Sequence, residues 1–185
     1  YYQGWINSII HGTESRITGV WRLDPKKAGA SSCMGDIGVH AFNLIEYTTG
    51  REVKEVLSDL SSVKEGVQLD LDGTVLLRLD NNLKGVIRAS QVCAGEENNL
   101  TIAVYGSKAG LKWSQENPNY LVVSRLGAPT ELLSRGRDGF YPHAQSYSRI
   151  PSGHPEGYFE AFANLYKTYI SALIKQKSGG KLTQD

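Results

Sequence analysis

The run Gly35-Asp36-Ile37-Gly38-Val39-His40 sets a carboxylate and an imidazole four residues apart. On a helix that interval puts the two side chains one turn apart on the same face. A helix N-terminus at this point also offers unpaired N–H groups and positive potential. Imidazole titrates near neutral pH and a neighbouring carboxylate polarises it, so the pair suits proton transfer to or from a hydroxyl. Asp-x-x-x-His is also a common spacing. A second reading therefore stands beside the first, with Asp36 as a helix cap and His40 as an ordinary surface or core residue. Arg22 follows Trp21 and precedes a loop, where its planar donors suit a sugar hydroxyl or a carboxylate; equally, its stem packs on Trp21 and its head stays in water. His154, between Gly153 and Pro155, either contacts substrate from a loop or fixes the turn before a helix. Arg149 and Tyr158 are further candidates for substrate binding, against a solvated arginine and a packed tyrosine.

No His, Cys or acidic cluster has metal-ligand spacing, so no metal site is expected. Gly106 and Gly110 flank Ser107-Lys108, but a strand turn follows them where a phosphate cradle needs a helix. His11 and His143 read as surface residues.

The elements that must position these residues follow from the pattern. Ile37, Ala41, Leu44, Ile45 and Thr48 recur at helical spacing and Gly50 is a stop, so Asp36 falls near the first turn of a helix of about four turns. Residues 1 to about 11 read as a strand or its end, leading into a loop at His11-Gly12-Thr13. Residues 26–32 are a small-residue loop. From Val53 the period becomes two: Val53–Val56, Leu69–Leu79, Leu83–Val92 and Leu100–Tyr105 favour strands, with Asp80-Asn81-Asn82 as a turn. Shorter strands follow at Leu111–Trp113, Tyr120–Ser124 and Glu131–Ser134. Short connections imply antiparallel neighbours. Residues 135–153 are a long irregular loop, and an apolar stripe of Phe159, Phe162, Tyr166, Tyr169, Ile170 and Leu173 marks a closing helix that ends at Gly179-Gly180. The pattern predicts an α+β domain: a large, predominantly antiparallel open sheet with helices packed on one face.

Composition bounds the function. The chain has 185 residues, 40% apolar and 21% charged, with a formal charge of +1, which suits one domain with a substantial core. The scattered positive charges lack the basic stripe of a nucleic-acid binder. No apolar run approaches the ~20 residues that span a bilayer. The N-terminus has no signal-peptide pattern and opens as a strand already under way, which predicts an excised segment. Cys33 and Cys93, far apart, read as free thiols in a reducing, cytoplasmic setting.

Trp21-Arg22, Asp24-Pro25, the small-residue loop, Gly35-Asp36-Ile37-Gly38-Val39-His40 and then Gly50 and Val53 together resemble the C-terminal domain of the glucose–fructose oxidoreductase / inositol dehydrogenase / MocA family. Arg149 to Tyr166 resembles a subgroup of it. The resemblance covers nearly the whole chain and implies a substrate-binding and oligomerisation domain over 1–185. In that family an N-terminal Rossmann domain binds NAD or NADP and supplies a lysine from a Glu-Lys-Pro motif; this sequence has neither. The implied activity is hydride-transfer oxidation or reduction of a sugar, a polyol such as inositol, or a related hydroxy compound, with the segment alone inactive. Asp36 and His40 would be the acid–base pair, His40 taking the hydroxyl proton. Arg22, His154, Arg149 and Tyr158 would bind substrate, and the sheet face would join copies into a homo-oligomer. The rival functions are an assembly module and a carbohydrate binder without catalysis.

Overall fold

A computed structural model describes residues 1–12, 19–139 and 141–181. The chain divides into two compact units, Tyr1–Glu116 and Asn117–Asp185.

In the first unit, helix α1 (Ile6–His11) stands where a strand is expected from the sequence. Six residues are too few for periodicity to separate the two states. Fully buried Ile6 anchors the helix, and Gly12, at φ 66°, ends it in the left-handed region. The end of the loop expected at 11–13 lies outside the described residues. A 3₁₀ turn (Val20–Leu23) leads into the one-turn helix α2 (Pro25–Ala28). The Asp24 carboxylate accepts from the Lys26 N–H at 3.0 Å, and Pro25 occupies the first helical position, where a missing N–H costs nothing. Local capping thus makes a helical turn where small residues alone suggest loop.

A π-helical turn (Met34–Gly38) then runs straight into α3 (Val39–Thr49), which Gly50 closes at φ 62°. Strands β1 (Val53–Ser61), β2 (Asp72–Leu79) and β3 (Lys84–Ser90) form an antiparallel sheet in the order β1-β2-β3. The Asp80–Asn82 turn joins β2 to β3, with Asn81 and Asn82 both at positive φ, as the turn signal predicts. Along β2 and β3 the buried hydrophobic side chains are Val75, Leu77, Leu79, Ile87 and Ala89, alternating with more exposed neighbours such as Leu76, Arg78 and Val86. That buried face packs with Cys33 and Ile37 of the helical segment, flanked by Met34, Ala41, Phe42 and Ile45. The helices therefore cover one face of the sheet. Strands β4 (Thr101–Tyr105) and β5 (Ala109–Ser114) form an antiparallel hairpin in the same unit.

The second unit holds the hairpin of β6 (Tyr120–Arg125) and β7 (Glu131–Ser134), a short helix α4 (Pro142–Ser146) inside the long loop, and helix α5 (Tyr158–Lys177). The Glu160 carboxylate accepts from the Gly157 N–H at 2.8 Å at the start of α5. The apolar stripe of α5 forms as a helical face, but Phe159, Phe162, Tyr166, Tyr169 and Ile170 all remain exposed.

The α+β architecture, dominated by antiparallel strands, is the one the pattern predicts. No helix among the described residues is long and apolar enough to cross a membrane.

Candidate functional site

Asp36 sits in the π-helical turn ahead of α3, and that turn is held from outside by Asp70. The Asp70 carboxylate accepts from the Ser32 N–H at 2.9 Å and the Met34 N–H at 2.7 Å, while the Asp70 carbonyl accepts from the Cys33 N–H at 2.9 Å. Three donors that open a helix, and that no helical carbonyl can satisfy, thus find acceptors on the loop before β2. This cap comes from more than thirty residues downstream, so local sequence carries no sign of it.

The carboxylate of Asp36 is engaged on two sides. Arg22 Nε donates to Oδ2 at 2.9 Å and Nη2 to Oδ1 at 3.4 Å. Gln91 Nε2 also donates to Oδ2, at 2.8 Å. The Arg22 and Asp36 side chains retain 26% and 32% of their exposure, so the pair is lodged in the surface yet reachable from solvent. Gln91 is fully buried just past the end of β3, its N–H bonded to the Leu71 carbonyl at 2.9 Å, and its Oε1 is a buried acceptor without a partner. The opposite amide orientation would turn that oxygen against the Asp36 carboxylate.

Two indoles complete the setting. The Arg22 guanidinium carbon lies 4.4 Å from the Trp21 ring centroid and 5.3 Å from that of Trp5. This is cation–π geometry, and it fixes the arginine head between aromatic faces. The Trp5 indole N–H donates to Gln3 Oε1 at 2.8 Å. A side chain at Gly19 would strike the Trp5 ring, since a Cβ there would sit 2.4 Å from it, so glycine is what lets the indole lie where it does.

The structure joins Arg22 to Asp36, a pairing that neither sequence reading of that arginine names, and lays the guanidinium over the Trp21 ring. It does not join Asp36 to His40: neither a hydrogen bond nor an ion pair links them, and the recorded partners of Asp36 are Arg22 and Gln91. The intervening π turn changes the angular offset that ordinary α-helical spacing would give. His40 is exposed on α3, its ring centroid 6.3 Å from that of Tyr1.

In the second unit, Arg149 donates from its side chain to Asn164 Oδ1 and from its backbone N–H to Glu156 Oε1, the latter at 2.8 Å. The His154 side chain is exposed, and its carbonyl accepts from Arg135 Nη2 at 2.8 Å. Tyr158 is also exposed, its ring against Phe159 and Phe162 with centroids at 5.8 and 4.9 Å. Arg135, which the sequence does not single out, organises this loop. It bonds the Ile150 carbonyl at 3.0 Å and Asn119 Oδ1 at 3.0 Å, and it forms an ion pair with the buried Glu156.

Cys33 is buried and its thiol is pushed up to about 12, mainly by burial and then by the nearby Asp70 and Asp72 carboxylates. At neutral pH it is a small apolar side chain and no nucleophile. No group of three or more metal-binding side chains converges among the described residues.

Residues 6–112 match the GFO/IDH/MocA C-terminal domain. An uncharacterized oxidoreductase, YfiI, of Bacillus subtilis (strain 168) is 31% identical over 155 residues, covering 83% of this chain and 39% of that protein. An oxidoreductase from Sinorhizobium meliloti of known structure is 47% identical with a TM-score of 0.70, covering 73% of this chain and 40% of the other. An inositol dehydrogenase homologue from Azotobacter vinelandii, solved with NAD+, is 33% identical with a TM-score of 0.89, covering 96% of this chain and 46% of the other. An inositol dehydrogenase homologue from Azotobacter vinelandii solved with NADH and myo-inositol is 31% identical with a TM-score of 0.83, covering 96% of this chain and 45% of the other. The chain spans about two-fifths of the length of these relatives.

Proposed function

The chain belongs to the GFO/IDH/MocA family as a C-terminal domain, and from that membership and its site we propose that it is the substrate-binding half of an NAD(P)-dependent oxidoreductase acting on a sugar, a polyol or a related hydroxy compound. The observation that carries this reading is the Arg22–Asp36–Gln91 assembly, with His40 on the same helical segment. A carboxylate fixed by two donors retains lone pairs for a substrate hydroxyl, and two indole faces beside it suit the apolar face of a sugar ring. Asp36 orients the reacting hydroxyl, and exposed His40 accepts its proton. In their own unit, Arg149, His154 and Tyr158 are proposed as substrate-binding side chains.

Gly106 lies in the β4–β5 turn, closed by its N–H on the Ala109 carbonyl at 2.9 Å, and Gly110 lies within β5, so a strand and not a helix follows the pair. A nicotinamide cofactor accepts hydride, and holding it is assigned to polypeptide beyond these residues; on its own the chain is expected to be inactive. The test is His40→Ala in the full-length protein. Loss of about 100-fold or more in kcat, with the fold intact, supports the assignment; turnover at the parent rate removes His40 from the mechanism.

Assembly through the sheet is a second element of the proposal. On the face of β1–β3 away from the helices, Leu57 pairs with Leu76 and Leu76 with Val86, exposed by 69%, 53% and 59%. An apolar row across three strands suits burial against a second copy. Leu76→Glu is expected to lower the mass of the full-length protein in light scattering; an unchanged mass would exclude this face.

A further inference from the structure

Gln91 is fully buried, yet half of its amide is unused. Its Nε2 donates to Asp36 Oδ2 at 2.8 Å, while Oε1 has no hydrogen-bond partner among the described residues. A buried polar atom left unpaired works against folding. Turning the amide over brings no relief, because Oε1 would then face a carboxylate. Methionine, unbranched and of similar length, would fill the same space without an orphaned oxygen. Stability therefore does not account for a glutamine here, and a residue that breaks a local rule in this way points to function.

The two oxygens of Asp36 are used unequally. Arg22 Nε and Gln91 Nε2 both donate to Oδ2, at 2.9 and 2.8 Å, whereas the contact at Oδ1 is the long one from Arg22 Nη2, 3.4 Å. Oδ1 is thus the oxygen with lone pairs left to meet a hydroxyl.

The aspartate does not hold this arrangement by itself. The terminal torsion of its side chain is broad and roughly two-fold, so rotamer preference leaves the carboxylate plane soft. Arg22 is partly exposed on a four-residue 3₁₀ turn and approaches from one side. Gln91 approaches from another element, just past the end of β3, and its main chain is fastened. Its N–H donates to the Leu71 carbonyl at 2.9 Å, and Asn7 Nδ2 donates to the neighbouring Val92 carbonyl at 2.9 Å. Leu71 and Ser90 are fully buried beside it. The 3₁₀ turn, the π turn and the end of the sheet therefore meet on one carboxylate, and the sheet's contribution is the one shielded from solvent.

We infer that Gln91 is a positioning residue: from the end of β3 its amide fixes the plane of the Asp36 carboxylate, with Oδ2 turned inward and Oδ1 presented to the hydroxyl. Being fully buried, Gln91 meets no substrate and acts through Asp36. Its role rests on Asp36 orienting the reacting hydroxyl, as proposed above. The orphaned Oε1 is what this placement costs the fold.

The experiment is Gln91→Met in the full-length protein, with Asp36→Asn beside it. Steady-state kinetics should show kcat lower by about 10- to 100-fold with KM near the parent value, because a small misplacement at a reacting centre costs on that order. The thermal midpoint should equal or exceed the parent's, since the orphaned oxygen is gone and Arg22 still donates to Oδ2. Parent turnover in Gln91→Met, whether or not KM rises, would overturn the inference. So would a lower midpoint or a failure to fold, either of which would make Gln91 part of the framework. Parent turnover in Asp36→Asn is a separate result, which would remove the role proposed for Asp36 and this one with it.

Discussion

Replacing Arg135 by methionine tests what holds the loop that carries Arg149 and His154. The change removes the donors to the Ile150 and His154 carbonyls and to Asn119, and it removes the partner of Glu156, whose side chain is only 4% exposed. Stranding a buried carboxylate costs about 3–5 kcal/mol when its partner is deleted. Glu156→Gln alone keeps an acceptor for the Arg149 N–H and is expected to cost about 1.5–3 kcal/mol, the strength of a charge-assisted bond. If the ion pair is the main term, the double variant loses less than the two single losses added together, with a coupling of about 1–3 kcal/mol. Urea unfolding of the parent, the two single variants and the double variant measures all four corners. Additivity within about 0.5 kcal/mol would refute the reasoning, because uncoupled residues behave in that way.

Three further outcomes follow from the same structure. Asp70→Ala leaves the Ser32 and Met34 N–H groups without acceptors and is expected to destabilise by about 2–4 kcal/mol in urea unfolding, whereas a loss below about 0.5 kcal/mol would dismiss the cap. Cys33, buried with its thiol at about 12, is expected to resist iodoacetamide at pH 8 in the folded chain while Cys93 reacts, and to be labelled in 6 M urea. Its linkage has a definite sign: the folded state keeps a proton the unfolded state releases, so this contribution is lost as pH rises from about 9 towards about 12. Glu160 is held below the usual carboxylate range, first by the Gly157 N–H and then by its own N–H. Its contribution is complete above about pH 4.3 and disappears as pH falls through the lowered value. Titration by NMR should give a Glu160 midpoint below that of free glutamate, with the Gly157 amide following it, and a normal midpoint would contradict the cap.

The strands were legible because their signal is local. In β2, Val75, Leu77 and Leu79 alternate with Leu76 and Arg78, and the Asp80-Asn81-Asn82 turn supplies the residues that tolerate positive φ. Helix α1 was not legible, since it rests on the burial of Ile6 and a left-handed Gly12 more than on any repeat. The same division runs through the site. Asp36, His40 and Arg22 stand out by residue type and interval, but the partners that fix Asp36 and its turn are Gln91 and Asp70, fifty-five and thirty-four positions away. Neither lies in a motif, and a buried glutamine after a strand reads as an ordinary polar residue. Spacing alone also misses the π turn that holds Asp36, which changes the angular offset to His40 that an α-helix would give. Asp36 is thus held by Arg22 and Gln91 as one hydrogen-bonded group, and His40 lies exposed on α3 beside Tyr1.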